Sequence, residues 1–171
     1  MAAFFQGGIE DLMRGLVHWT VTPIMASLVS TSYRFDHRYR WVDQLASQYE
    51  LVGPGYFRKA LQNCTVVPAI DCKTLCKADD LTWERLGPFD VPIGGVVLSV
   101  SDALLAHFEV EPTNPNGDDF TIRWGGAVMM IGGDSVVQSP HTILDLSSIV
   151  KANVRVIVRP TCWSRLLEPE I

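Results

Sequence analysis

The 171-residue chain has no basic excess, no long apolar run and no closely paired cysteine motif. Charged residues make up only 19%, and 14 Lys and Arg against 19 Asp and Glu leave a formal net charge of -5. Phosphate backbones and anionic membranes are held by net or clustered positive charge, so this balance argues against nucleic-acid and membrane-surface binding. Apolar runs reach only a few residues, far short of the roughly 20 that span a bilayer, and no transmembrane helix is expected. Four cysteines are present, but Cys72 and Cys76 are three residues apart in between, not the two of common zinc and redox sites, and Cys64 and Cys162 stand alone. Reduced, partly buried thiols are the expectation. Phosphate-binding glycine loops, nucleophile elbows and cysteine-protease signatures are also missing, which leaves no support for nucleophilic catalysis.

What the chain has is apolar and turn-rich. Hydrophobic residues make up 47%, with 13 Gly and 10 Pro, enough for one domain with a real core; the apolar excess fits either a β-rich core or apolar surface reserved for partners. Phe5, Ile9, Leu12, Met13 and Leu16 recur at helical spacing and predict one amphipathic helix over residues 4–17. Residues 24–29 read as a buried strand, and residues 42–49 as a turn or two of helix. Residues 60–70, 81–83, 95–100 and 104–110 read as further strands between Pro, Gly and Asp clusters. After the turn sequence Asn114-Pro115-Asn116-Gly117, the residues Phe120, Ile122 and Trp124 alternate with polar ones as in a strand with one core face. The fold class expected is mainly β, a β-sandwich or jelly-roll-like barrel with a short N-terminal helix and a C-terminal extension. The domain is placed at residues 1–132 and the extension, holding a further strand or two or a subunit-contacting arm, at residues 133–171.

Two constellations stand out. In residues 33–41 the rings of Tyr33, Phe35, His37, Tyr39 and Trp41 alternate with Arg34, Asp36, Arg38 and Arg40 in strict period two. This is either an exposed ribbon suited to gripping a partner or a covering segment over the core. Tyr33, Phe35, Tyr39, Arg40 and Trp41, with Trp163 as a second anchor, are the candidate partner-contact residues. The second is His107, Glu109 and Glu111, which would share one strand face and could ligate a metal. Phe108 and Val110 complete the opposite face, so the simpler reading is the strand's solvated side. No catalytic, cofactor or metal residue is assigned.

The ordered segments GLVHW, LVSTSY, VGPGYF, DDLTW, LLAHFEV and NPNGDDFTIRWGGAVMMIG, spread over residues 15–131, resemble a family of small structural proteins encoded in the virion gene clusters of tailed bacteriophages. Departures are Thr20-Val21-Thr22-Pro23, which lacks the family's usual acidic residue, the shortened 98–105 connection, the cysteine-bearing 64–76 region and the residues after the domain. The resemblance implies a compact β-sandwich in which Trp19, Trp83 and Trp124 are core positions. It further implies a non-enzymatic capsid decoration or cement protein that binds the major capsid protein as a homo-oligomer, a trimer by symmetry, without contact to nucleic acid or membrane. Such a protein would be made in the host cytoplasm and reside on the capsid exterior of the virion. The alternatives are a neck, tail or fibre component with an adhesive role, and a small metal-binding module or enzyme using His107, Glu109 and Glu111.

Overall fold

The computed structural model describes residues 2–69, 73–124 and 127–131 and the backbone of residues 142–144. Strand β1 (Ala2–Phe4) leads into helix α1 (Gln6–Met13), and β2 (Ile24–Ser30) follows. A 3-10 turn at Val42–Leu45 runs into the short helix α2 (Ala46–Tyr49). Then come β3 (Lys59–Ala60), β4 (Thr65–Ala69), β5 (Lys73–Lys77), β6 (Leu81–Trp83), β7 (Ile93–Val100), β8 (Ala103–Thr113), β9 (Phe120–Ile122), β10 (Met129–Ile131) and β11 (Thr142–Leu144). The fold is mainly β, as the strand patterning predicts.

A five-stranded antiparallel sheet in the order β1-β8-β7-β2-β3 forms the centre. Strands β2 and β7 are buried along almost their whole length, which means both faces of this sheet are covered. One face, with Ile24, Ala26, Leu28, Val96 and Leu98, packs against Trp83 and Leu81 of β6, Ile122 of β9, Cys76 of β5 and Met129 of β10. Those residues belong to two smaller sheets, β6-β9 and β11-β10-β5-β4. The opposite face, with Val29, Val97 and Leu104, is covered by Phe5, Tyr33, Val42 and Leu45. Burying side chains on both faces explains why β7 reads as a continuous apolar run, not as an alternation.

Helix α1 departs from its sequence expectation. It ends at Met13, and Met13 and Leu16 are 69% and 63% exposed. Its buried face is Gly7, Gly8 and Asp11. A Cβ on Gly8 would lie 2.6 Å from the Leu105 carbonyl oxygen and 2.7 Å from the Leu105 Cα, so the missing side chain is what lets the helix backbone lie directly on β8. Gly15, at φ 70°, turns the chain out of the helix in a conformation that disfavours other residues.

Residues 60–70 do not form one strand. Leu61 to Cys64 leave the ladder, Asn63 adopts φ 50°, and β4 begins only at Thr65, pairing with a strand β5 that the sequence reading did not assign. Residues 33–41 are not a strand either. The segment turns at Asp36, whose Oδ1 accepts from the Arg38 backbone N–H at 3.0 Å, and touches the sheet edge only where Trp41 bridges Ala103.

Candidate functional site: an aromatic groove

The period-two aromatics of residues 33–41 have split fates. Tyr33 is buried, its ring edge-on to Tyr49 at 5.5 Å and to His107 at 5.2 Å, and burial pushes its phenol above the ordinary value. Phe35 packs on Phe5 at 5.0 Å and stacks on His107 at 5.7 Å, while Tyr39 lies half-buried against the same cluster. The segment is therefore a lid over the second face of the sheet, with these three rings turned inward by the apolar surface beneath them. Arg40 pins the lid to α1 through Asp11 at 3.0 Å and Glu10 at 3.4 Å, and Gln6 N–H donates to the His37 carbonyl at 2.9 Å. Trp41 alone of the five candidates remains substantially open, 47% exposed, with the Arg40 guanidinium 5.3 Å from its ring centre. Trp163 lies outside the described residues.

The lid also decides His107. Expected on a solvated strand face, it is 5% exposed beneath Tyr33 and Phe35, and Glu109 and Glu111 continue beyond the lid into solvent. Burial pushes the imidazole down to about 4, against partial opposition from Glu109. Among the described residues no three His, Cys, Asp or Glu side chains gather as metal ligands. Cys64 and Cys76 are free thiols, and burial raises the Cys76 thiol to about 11, so it is protonated and unreactive at neutral pH. The adjacent aspartates serve as turn staples: Asp80 Oδ1 accepts the Trp124 N–H at 3.1 Å and Asp119 Oδ1 the Arg85 N–H at 3.0 Å.

Trp41 forms part of the rim of a wide open groove of about 1170 Å³ between residues 41–43, residues 50–58 and Asp102. The Val42 N–H to Asp102 carbonyl bond of 2.8 Å ties one rim to the β7–β8 turn, and the Leu51 N–H to Leu28 carbonyl bond of 3.0 Å ties the other to β2. The groove's polar wall is a fixed network. Glu50 takes the Arg58 guanidinium on both oxygens, at 2.7 and 2.6 Å, and the Tyr56 hydroxyl at 2.7 Å. That hydroxyl in turn accepts the Leu28 N–H at 3.2 Å, which joins the wall to the central sheet. Burial opposes ionisation of Glu50, but the Arg58 and Tyr56 hydrogen bonds outweigh it and hold the carboxyl below its ordinary value. Around this wall Val52 and Phe57 are 82% and 60% exposed. Asp43 and Asp102 are also exposed, and neither is ion-paired among the described residues. Three large apolar side chains held open around rigid polar groups suit the binding of a partner, and the fixed ion pair lowers the ordering cost of doing so.

No protein-family model, curated protein or solved structure matches this chain. Three buried tryptophans hold distant segments of the chain together. Trp83 Nε1–H donates to the Phe57 carbonyl at 2.8 Å, Trp124 Nε1–H to the Asp79 carbonyl at 3.0 Å, and Trp19 Nε1–H to the Lys77 carbonyl at 2.8 Å. Each buried indole thus caps a carbonyl of a different segment, and with the Tyr56 hydroxyl on Leu28 they hold the loops onto the sheet. The resemblance implied core positions for Trp19, Trp83 and Trp124, which are buried, but the sequence analysis missed Val52, Phe57 and the Glu50–Arg58 pair. Their one sequence signal is a pair of large apolar residues, Val52 and Phe57, flanking the Gly-Pro-Gly turn.

Proposed function

We propose that this protein is a non-enzymatic virion component of a tailed bacteriophage, a decoration or cement protein that binds the major capsid protein on the head exterior as a small homo-oligomer. The observation that carries the reading, through its homo-oligomer part, is the exposed apolar rim of Trp41, Val52 and Phe57 around a groove whose walls are already hydrogen-bonded. A monomer that ended its interactions there would leave costly apolar area in water. Bonds that join four of the resemblance segments, Leu28 to Tyr56, Trp83 to Phe57 and Trp124 to Asp79, add support, because they give those residues a fold-bearing role that a chance match of short motifs would not require. A lattice suits such a surface, since many modest contacts add through multivalency and no single copy need bind tightly.

Quantitative mass spectrometry of purified virions, normalised to the major capsid protein, tests this. A ratio near unity or a simple fraction is expected. A few copies per particle would favour a neck, tail or fibre component with an adhesive role, a reading supported by an exposed Trp41 ring beside the carboxylates of Asp43 and Asp102. Absence from virions would refute both. The metal-module reading loses its sequence support, since His107 is sealed under the lid and does not join Glu109 and Glu111 in a ligand set.

A further inference from the structure

We propose that the groove is the docking site for residues 151–165 of a second copy of this chain, an arm exchange that builds the homo-oligomer; the proposal rests on the homo-oligomer part of the preceding reading.

Charge complementarity carries the assignment. The groove is lined by the carboxylates of Asp43, Glu50 and Asp102 against the single guanidinium of Arg58, and Glu50 is already paired with that guanidinium. Asp43 and Asp102 are exposed on the same groove as Trp41, Val52 and Phe57, Asp102 within electrostatic reach of Arg58 but without an ion-pair contact among the described residues. The matching occupant is an apolar segment with basic residues and no acidic ones. Residues 151–165 meet that description in an otherwise acidic chain: Lys151, Arg155, Arg159 and Arg165 are present and Asp and Glu are not. As extended chain, Val154, Val156 and Val158 fall on one face and Arg155 and Arg159 on the other, about 13 Å apart. The valines would cover the apolar rim while the arginines reach the two carboxylates, and Trp163 adds an aromatic anchor beyond Pro160.

The course of the chain favours a second copy over the chain's own arm. Lys77, at the end of β5, accepts from Trp19, while Leu61 N–H bonds the Ile24 carbonyl and Asp79 N–H the neighbouring Gln62 carbonyl. The Lys77 end of β5 therefore lies at the Ile24 end of the central sheet. Trp41 is at this same end, because Ile24 pairs with Val100, Val100 with Ala103, and Ala103 with Trp41. Strands β10 and β11 run in parallel from the level of Cys76 towards that of Thr74, so the chain leaves β11 heading away from the Trp41 rim. Arm and groove are different surfaces, so their contact is heterologous, and repeated about an axis it closes into a ring such as a trimer.

Charge exchange in the full-length protein, read by light scattering after size exclusion, tests the proposal. The wild type is expected at a small multiple of 19.0 kDa. Asp43→Lys with Asp102→Lys, and separately Arg155→Glu with Arg159→Glu, should each reduce the mass to that of one chain, with unchanged circular dichroism because Asp43 and Asp102 are exposed. Mixing the two variants should restore association, since each supplies the half the other lacks. Three outcomes overturn the proposal: a monomeric wild type, a mass unmoved by either reversal, or a mixture that stays monomeric. Sedimentation of the same variants with purified capsids is a separate readout. Capsid binding without arm exchange would sink this inference and leave the capsid-binding part of the proposed function standing, whereas arm exchange without capsid binding would do the reverse.

Discussion

His107 gives the sharpest test of the lid. Its imidazole titrates at about 4 in the folded protein against 6.5 when exposed, because burial under Tyr33 and Phe35 disfavours the cation. The folded state therefore binds this proton more weakly than the unfolded state. The stability that follows is fully present above pH 6.5 and is lost as pH falls towards 4. The full difference is about 3 kcal/mol, and about 2 kcal/mol of it is gone by pH 5. The comparison is wild type against His107→Gln, which does not titrate, in urea unfolding at half-unit steps from pH 7.5 to 5. Gln also changes packing, which offsets the two curves, but only the wild-type curve should fall by this amount relative to the other. Parallel curves would refute the argument and mean that the lid opens readily enough to hydrate the imidazole.

The remaining predictions concern the helix, the groove wall and its rim. Gly8→Ala forces a Cβ into the Leu105 backbone and should cost about 3 kcal/mol in chemical denaturation, while Gly15→Ala, with nothing within 4 Å but a positive φ, should cost about 1 kcal/mol. Equal costs would mean that α1 does not rest on β8 as described. Tyr56→Phe removes the hydroxyl shared by Glu50 and Leu28 and should destabilise by about 2 kcal/mol, with the midpoint of Glu50 protonation, followed by NMR, moving up towards its ordinary value. Trp41→Ala should change unfolding free energy by less than about 1 kcal/mol, the side chain being half in solvent, yet weaken self-association measurably. An unfolded Trp41→Ala protein would make the ring a core residue and not an anchor.

Which parts were legible follows from the range of the forces involved. Alternation of Phe120, Ile122 and Trp124 against Thr121 and Arg123 reports a strand with one buried face, and the structure places these residues accordingly. Helix α1 was misjudged at its edges because periodicity counts apolar side chains, whereas this helix docks through the absence of side chains at Gly7 and Gly8. Of the two readings that the aromatic alternation of residues 33–41 left open, the structure shows the covering segment for Tyr33 and Phe35, while Trp41 stays exposed. Period two says that rings share a side of an extended chain, but a turn at Asp36 and an apolar sheet face below let Tyr33 and Phe35 turn inward together.

By itself the sequence determined the mainly β class and the acidic balance, because these follow from composition and from patterns within a few residues; the core role of Trp19, Trp83 and Trp124 was implied by the resemblance, and all three are buried. Only the tertiary structure decided which aromatics meet solvent. It alone brought Trp41, Val52, Phe57, the Glu50–Arg58 pair and Asp102 to one groove, and it sealed His107 away from the glutamates beside it. Burial and ion pairing depend on what arrives from distant segments, and no local pattern encodes that arrival.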